Sequence, residues 1–161
     1  MMASPLLEWT ETYLKHKDLT LKRIISIERD EKSSILDVRF KDKQARHYVL
    51  PQLSERILSL PPGNKVIVCL NTEENFSFLI KNWAKISKIK DFSMIFVNID
   101  HNDKWLINPY IHSMIADPES MESGLRTMFE TANGNITEVK IGKKKPKIFD
   151  DDVADEDDSK E

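Results

Sequence analysis

The chain has very few of the residues that build cross-linked or phosphate-cradling folds. Its 161 residues include one cysteine and four glycines, so disulfide cross-links are excluded and no two glycines have the spacing of a nucleotide-binding loop. A Walker-type site and a Rossmann dinucleotide site are therefore disfavoured. No serine lies in a GxSxG elbow, and nothing near Cys69 in sequence would activate its thiol. We interpret Cys69 as a small core residue.

Long apolar runs are also missing. No segment approaches the roughly 18 apolar residues of a membrane span, and residues 1–17 have no basic segment leading into an apolar stretch. We therefore expect an intracellular protein without a membrane partner, located in the cytoplasm or, if the cell has one, in the nucleus. The chain has 161 residues, of which 40% are hydrophobic. This is enough for one domain with a sizeable core.

Residues 65–107 carry the clearest structural signal. Continuous apolar runs at 66–70 and 94–97 predict two strands that are buried on both faces. Five apolar residues between them recur at helical spacing: Phe76, Leu79, Ile80, Trp83 and Ile86. They predict one crossover helix over 73–88 with Trp83 in its buried stripe. Because parallel strands need such a crossover, this unit is the centre of an α/β sheet.

The flanking segments extend this centre. The pattern predicts a first helix from Ser4, then three strands in an antiparallel meander and a short helix, and after residue 107 a last helix that begins at Asp117. The last helix should bury one face, formed by Met121, Leu125, Met128, Phe129 and Ala132. The predicted fold class is α/β, a single domain over 1–137 with a mixed sheet in the order α-βββ-α-β-α-ββ-α. Residues 138–161 should form a disordered charged tail.

The net charge of −3 conceals a segregation along the chain. Residues 1–137 contain 18 Lys plus Arg and 18 Asp plus Glu, whereas 138–149 have a net charge of +4 and 150–161 a net charge of −7. The basic part contains five lysines: Lys140, Lys143, Lys144, Lys145 and Lys147. Such a patch is typical of phosphate contacts in nucleic-acid binding, of nuclear import signals or of a solubilising linker. The acidic run that follows should weaken any binding of nucleic acid by these lysines.

Ile148 and Phe149 form the one bulky apolar pair of the tail, and Asp150, Asp151 and Asp152 follow directly. An apolar anchor flanked by acids is typical of a linear motif that docks into the hydrophobic groove of a protein partner with a basic rim. The alternative is that the pair folds back onto this chain's own domain. The sequence leaves both hypotheses open.

Polar side chains follow the second buried strand. Asp100, His101 and Asp103, with His112 further along, are the densest set of metal-ligand types in the chain, and ligands cluster at the carboxyl ends of strands in α/β sheets. The same residue types are also what a hairpin turn requires. Nearby, Trp105 is a candidate for an exposed aromatic contact or for packing at the edge of the core.

The order helix, three-strand meander, helix, strand over residues 1–71 resembles the restriction-endonuclease-like superfamily. The resemblance implies a Mg²⁺ or Mn²⁺ ion held by an acid on the second meander strand, where Asp37 lies, and by an acid-x-Lys pattern on the third. The third strand instead contains Arg46, His47 and Tyr48, so the second acid and the lysine are missing. Glu28 on the first strand is the nearby acid that could serve as a displaced ligand. Asp37 and Glu28 are otherwise solvent-facing strand residues.

Two hypotheses of function follow. The first is a non-enzymatic binding or adaptor protein without a cofactor, a degenerate nuclease-like module associated with nucleic acid, whose charged tail recruits a protein partner. The second is a metal-dependent nuclease of restriction-endonuclease-like fold with Asp37 and Glu28 at its site.

Overall fold

The structure, a computed structural model, describes residues 4–134 as a six-stranded mixed sheet with helices on both faces. This confirms the predicted α/β class. The elements in chain order are α1 (Pro5–Leu21), β1 (Ile24–Asp30), β2 (Ile35–Phe40), β3 (Gln44–Val49), a 3-10 helix (Glu55–Ser59), β4 (Lys65–Leu70), α2 (Glu73–Lys81), α3 (Trp83–Ile86), β5 (Phe92–Asn98), β6 (Asp103–Ile107), α4 (Pro109–Ile115) and α5 (Pro118–Ala132).

Strand order in the sheet follows the order of the strands in the chain, from β1 to β6. β1, β2 and β3 form the predicted antiparallel meander. β5 is parallel to β4, as the crossover pattern predicts, and β4 is also parallel to β3. β6 returns antiparallel to β5 as a hairpin. The amino ends of β4 and β5 therefore lie at the same end of the sheet as the β2–β3 turn.

Side-chain caps start the three longest helices where the sequence indicates. Ser4 Oγ accepts a hydrogen bond from the Leu7 amide, and Thr72 Oγ1 accepts one from Asn75. Asp117 accepts one from Glu119 ahead of α5. Each oxygen satisfies an amide that has no partner within its own helix. These caps fix the first turns of α1, α2 and α5.

Two apolar clusters separate the faces of the sheet. Among the helices of residues 4–134, only α1 packs in the first cluster, through Leu6, Leu7 and Leu14. The second cluster lies under the 3-10 helix, α2, α3 and α5, and it contains the six buried aromatic residues of the described chain. These are Tyr48, Phe76, Phe92, Phe96, Trp105 and Phe129. The second face is therefore densely covered, whereas part of the first is left open.

Two predictions from the sequence were wrong, and the structure decides between two alternatives for a third residue. The crossover helix is divided at Asn82, whose side-chain amide donates to the Phe78 carbonyl, so that α3 starts a separate turn. Trp83 is consequently half-buried, with its ring edge-on to His112, and is not in a continuous buried stripe. Met128 is 41% exposed, whereas Trp105 is 3% exposed. The burial of Met128 was wrongly predicted, and the packing alternative for Trp105 is confirmed.

Several expectations concern residues outside the described part of the chain. The five lysines from Lys140 to Lys147, the pair Ile148 and Phe149, and the acids that follow all belong to this group. Within residues 4–134, no helix has the length and apolar character that crossing a membrane requires.

Candidate functional site

Four charged residues form a row across the sheet. Glu28 is paired with Asp37, Asp37 with Arg46, and Arg46 with Lys65, so the row runs from β1 to β4. Cross-strand partners in such a row project from the same face. Asp37 and Glu28 are therefore neighbours, as a displaced-ligand hypothesis requires. Arg46, however, stands directly beside Asp37.

Arg46 engages both carboxylate oxygens of Asp37. Its Nε lies 2.8 Å from Oδ1 and its Nη2 lies 3.3 Å from Oδ2. The bond to Asp37, with a contribution from Tyr48, raises the pKa of Arg46. A divalent cation at Asp37 would have to displace a guanidinium that is always charged. Together with the missing second acid and lysine, this arrangement does not fit the metal centre that the nuclease resemblance implies.

The candidate ligands after β5 lie in the β5–β6 turn and in β6. Asp103 Oδ1 accepts a hydrogen bond from the Lys104 amide, and the His101 amide donates to Asn98 Oδ1. His112 lies beyond the far end of β6, in α4, where its ring contacts Trp83. Within residues 4–134, no three His, Cys, Asp or Glu side chains are grouped so that they could hold a metal ion.

A buried amide network fills the carboxyl end of the parallel strands, the place where α/β proteins commonly bind ligands. Asn71, just after β4, accepts a hydrogen bond from Trp105 Nε1 at 2.7 Å and donates to the Phe129 carbonyl at 2.9 Å. Asn71 and Asn98 both donate to Asn133 Oδ1 at 3.0 Å. The residues of α5 and its C-cap thus occupy this crevice, and its polar groups are satisfied by one another.

The opposite end of the sheet is basic. The loops and strand ends there carry eight exposed cations: Lys17, Lys22, Arg23, Arg39, Lys41, Lys43, Lys88 and Lys90. The acids near them are Asp18, Asp42 and Asp91, and three more exposed acids, Asp117, Glu119 and Glu122, lie at this end of the sheet at the start of α5. Asp18 accepts hydrogen bonds from the Arg23 and Ile24 amides, and Asp42 pairs with Arg23 at 3.0 Å. We call this surface the basic end.

Seven exposed acids lie at the carboxyl end of the parallel strands. They are Glu8, Asp30, Glu31, Glu73, Glu74, Asp100 and Asp103. The described residues are neutral as a whole, and in the part of the chain from α1 to β3 cations predominate at one end of the strands and acids at the other. A polyanion that approaches the protein would be oriented by this charge distribution toward the basic end.

A groove of about 290 Å³ opens on the first face beside the last two turns of α1. Its apolar wall includes Leu14, Leu21, Ile24, Phe40, Val66 and Leu106. Lys17, Arg23 and Lys43 lie at the same opening. The groove exists because α1 covers only part of this face. We call it the α1 groove.

His47 lies at the base of the α1 groove and is 4% exposed. Its Nδ1 atom has no hydrogen-bond partner in the described part of the chain. Burial lowers the pKa of His47 from 6.5 to about 4. The imidazole is therefore neutral at pH 7, and it adds a polar atom without a positive charge to the groove.

The buried His47 predicts a dependence of stability on pH. Between about pH 6.5 and 4 the unfolded chain binds a proton here that the folded chain does not, so the free energy of unfolding falls as pH is lowered. At pH 5 the loss should reach about 2 kcal/mol. Urea unfolding at pH 7 and pH 5 measures this loss in the unaltered protein and in His47→Leu. Between the two pH values, the free energy of unfolding of the variant should fall by about 2 kcal/mol less than that of the unaltered protein. Identical pH dependence in the two proteins would show that His47 is not buried in the neutral form.

Comparison of the chain with protein-family models, with curated proteins and with solved structures finds no match. The site must therefore be inferred from the geometry of this chain itself.

The basic end was not predicted from the sequence. Its cations come from α1, from the α1–β1 connection, from the end of β2 and the β2–β3 turn, and from the segment before β5, so they form no run of basic residues. A signal was nevertheless present in two lysine-containing segments. KDKQ (41–44) joins the second and third strands of the meander, and KISKIK (85–90) precedes the parallel strand β5. Strand direction, once assigned, would have placed both turns at one end of the sheet.

Proposed function

We propose that this protein is a non-enzymatic binding module that associates with nucleic acid through its basic end. The supporting observation is the collection of eight exposed cations at one end of the sheet, around the β2–β3 turn and the amino ends of β1 and β5. Contacts to phosphates supply most of the affinity of sequence-independent binding, and they require mobile, exposed Lys and Arg side chains rather than a deep pocket. The lysines from Lys140 to Lys147 would add further phosphate contacts from the tail.

The pairing of Asp37 with Arg46 supports a binding role over a nuclease role. A guanidinium occupies the position beside Asp37 that a metal-binding acid would take in the nuclease resemblance. A hydrolytic water would lack both its metal and its positioning lysine in this arrangement. The row from Glu28 to Lys65 is instead a mixed set of charges that runs from exposed Glu28 to buried Lys65.

Two lysines in equivalent turns of the meander provide a matched test. Lys41 lies in the β2–β3 turn at the basic end, and Lys32 lies in the β1–β2 turn at the acidic end; both are exposed. Lys41→Glu should weaken binding of a fluorescent DNA or RNA oligonucleotide, and the slope of log K against log salt should fall by about 1 for the lost phosphate contact. Lys32→Glu makes the same charge change and should leave both quantities near those of the unaltered protein. Fluorescence anisotropy between about 50 and 200 mM salt measures them.

Two outcomes would contradict the proposal. Equal weakening by Lys41→Glu and Lys32→Glu would mean that only net charge matters, and undetectable binding at low salt would remove nucleic acid as the partner. Incubation with plasmid and single-stranded DNA in Mg²⁺ or Mn²⁺ tests the alternative function. Cleavage that Asp37→Ala abolishes would establish a nuclease in place of a binding module.

A further inference from the structure

The α1 groove has the dimensions and the lining of a site for bulky apolar side chains. A cavity of about 150 Å³ lined by aliphatic side chains admits benzene, and the α1 groove measures about 290 Å³. Leu21 and Leu106 on its walls are 55% and 43% exposed. If the groove were filled, apolar surface of both side chains that is now exposed to water would be buried, which is favourable.

The opening of the α1 groove selects for a negatively charged ligand. Lys17, Arg23 and Lys43 line the groove and are exposed to solvent. Lys17 Nζ lies 5.6 Å from the centre of the Tyr13 ring, and Lys43 Nζ lies 5.6 Å from that of Phe40. Asp18, the acid at the opening, has its carboxylate directed at the Arg23 and Ile24 amides. A ligand with an apolar anchor beside several acids therefore matches both the wall and the opening.

Residues 148–152 of this same chain have that form. Ile148 and Phe149 are adjacent bulky apolar residues, Phe149 is the one aromatic residue of 138–161, and Asp150, Asp151 and Asp152 follow. The wider run 150–161 has a net charge of −7. An anchor in the α1 groove would place these acids among the exposed cations of the basic end.

The length of chain beyond residue 134 is sufficient for this contact. Gly134 lies beside His101, at the end of edge strand β6 that is opposite to the α1 groove. Ile148 follows 14 residues later, a reach of about 45 Å when extended. β6 is five residues long, or about 17 Å, and passing from one face of the sheet to the other adds about 10 Å. The segment can therefore pass around the β6 edge without strain.

We propose that the α1 groove binds this chain's own residues 148–152, with Ile148 and Phe149 against Leu21, Val66 and Leu106 and with the acids against Lys17, Arg23 and Lys43. Tethering gives the segment an effective concentration in the millimolar range, so a weak contact is sufficient to keep the groove occupied. The same acids would shield the cations of the basic end. If the proposed function is correct, this contact limits binding of nucleic acid, but the contact itself does not rest on that function.

Paramagnetic relaxation in the full chain tests the contact without nucleic acid. Cys69 is fully buried and is the one cysteine of the sequence, so Val153→Cys supplies a single reactive thiol for a nitroxide spin label. The expected result is selective broadening of the Ala45, Ser93 and Leu106 amide signals in ¹⁵N-labelled protein. Adding Ile148→Ala and Phe149→Ala to the labelled chain should remove that selectivity. Broadening that is absent, or that persists unchanged in this triple variant, would overturn the proposal.

Two exposed apolar residues on different parts of the surface provide the matched control. Leu106→Glu puts an acid into the α1 groove and should abolish the broadening at Ala45 and Ser93. Ile111→Glu changes a residue on α4 that is similarly exposed, at 50%. This variant should leave the broadening at Ala45 and Ser93 unchanged. Loss of the broadening in both variants would show that the segment does not use the groove specifically.

A mixed sample distinguishes this chain's own segment from that of a second copy. Protein that carries the spin label but no ¹⁵N is mixed with ¹⁵N-labelled protein that carries no spin label. Broadening of the observed signals can then arise only between molecules. We expect none at Ala45, Ser93 or Leu106. Broadening there would overturn the intrachain proposal in favour of exchange between copies. Because no arm contains DNA or RNA, failure here is separate from failure of the oligonucleotide test.

Discussion

Phe96→Ala is expected to lower the free energy of unfolding by about 3–5 kcal/mol, the range for truncating a large aromatic in a packed interior. Phe96 is fully buried in the inner strand β5, and its ring stacks on Trp105 with 4.4 Å between ring centres. Truncation would leave a cavity between the sheet and the helices of the second face. Thermal unfolding should show a decrease in Tm of roughly 10–20 °C.

Trp83→Ala is the informative comparison for this core variant. The indole of Trp83 is as large as the side chains of the core, but the break at Asn82 leaves it half-buried beside His112. We expect a smaller loss of stability than in Phe96→Ala, because less surface is returned to water. Met128→Ala, at a residue that is 41% exposed, should change stability by about 0.5 kcal/mol or less. A larger loss in Trp83→Ala than in Phe96→Ala would show that the order of burial is wrong.

Asn71→Leu is expected to destabilise the protein by about 2–5 kcal/mol, although leucine is of similar size and apolar. The substitution removes the acceptor of Trp105 Nε1 and the donor to the Phe129 carbonyl. Each buried polar group without a partner costs about 1–3 kcal/mol. Denaturant unfolding would measure the loss, and retention of native stability would mean that water replaces the amide.

A double-mutant cycle separates these hydrogen bonds from packing. Trp105→Phe removes the indole N–H and keeps an aromatic ring against Phe96. In that background Asn71→Leu should cost less than in the unaltered protein, because the donor that it would leave unpaired is already gone. Additive losses would show that Asn71 and Trp105 do not stabilise the fold through their hydrogen bond.

The central sheet could be predicted because its signals are local. The apolar runs at 66–70 and 94–97 and the caps Ser4 and Asp117 depend on neighbouring residues, and the structure contains each of them as expected. The break at Asn82 was not predicted, since it depends on a side-chain bond to Phe78 that competes with the helix backbone. The apolar spacing on both sides of Asn82 continues as if the helix were intact.

The candidate sites were harder to predict because they depend on which strands are neighbours. Asp37 and Arg46 are nine residues apart, and only the antiparallel pairing of β2 with β3 brings a guanidinium onto the carboxylate. The α1 groove depends on how much of the six-stranded sheet α1 covers. The sequence of α1 alone does not indicate this coverage. His47 is close in sequence to exposed Arg46 and is buried because alternate residues of a strand point to opposite faces.

The agreement between strand order and chain order has a consequence for synthesis of the protein. Each described strand after β1 pairs with the strand made just before it, so the sheet can assemble as the chain leaves the ribosome, with little waiting for later segments. Docking of α5 comes afterwards, since its contacts with Asn71 span 58 and 62 residues. A nascent chain that has emerged through β6 would have a formed sheet whose crevice is still open around Asn71 and Trp105. That interval is when a chaperone would have an aromatic surface to bind, and it ends when Phe129 enters the core.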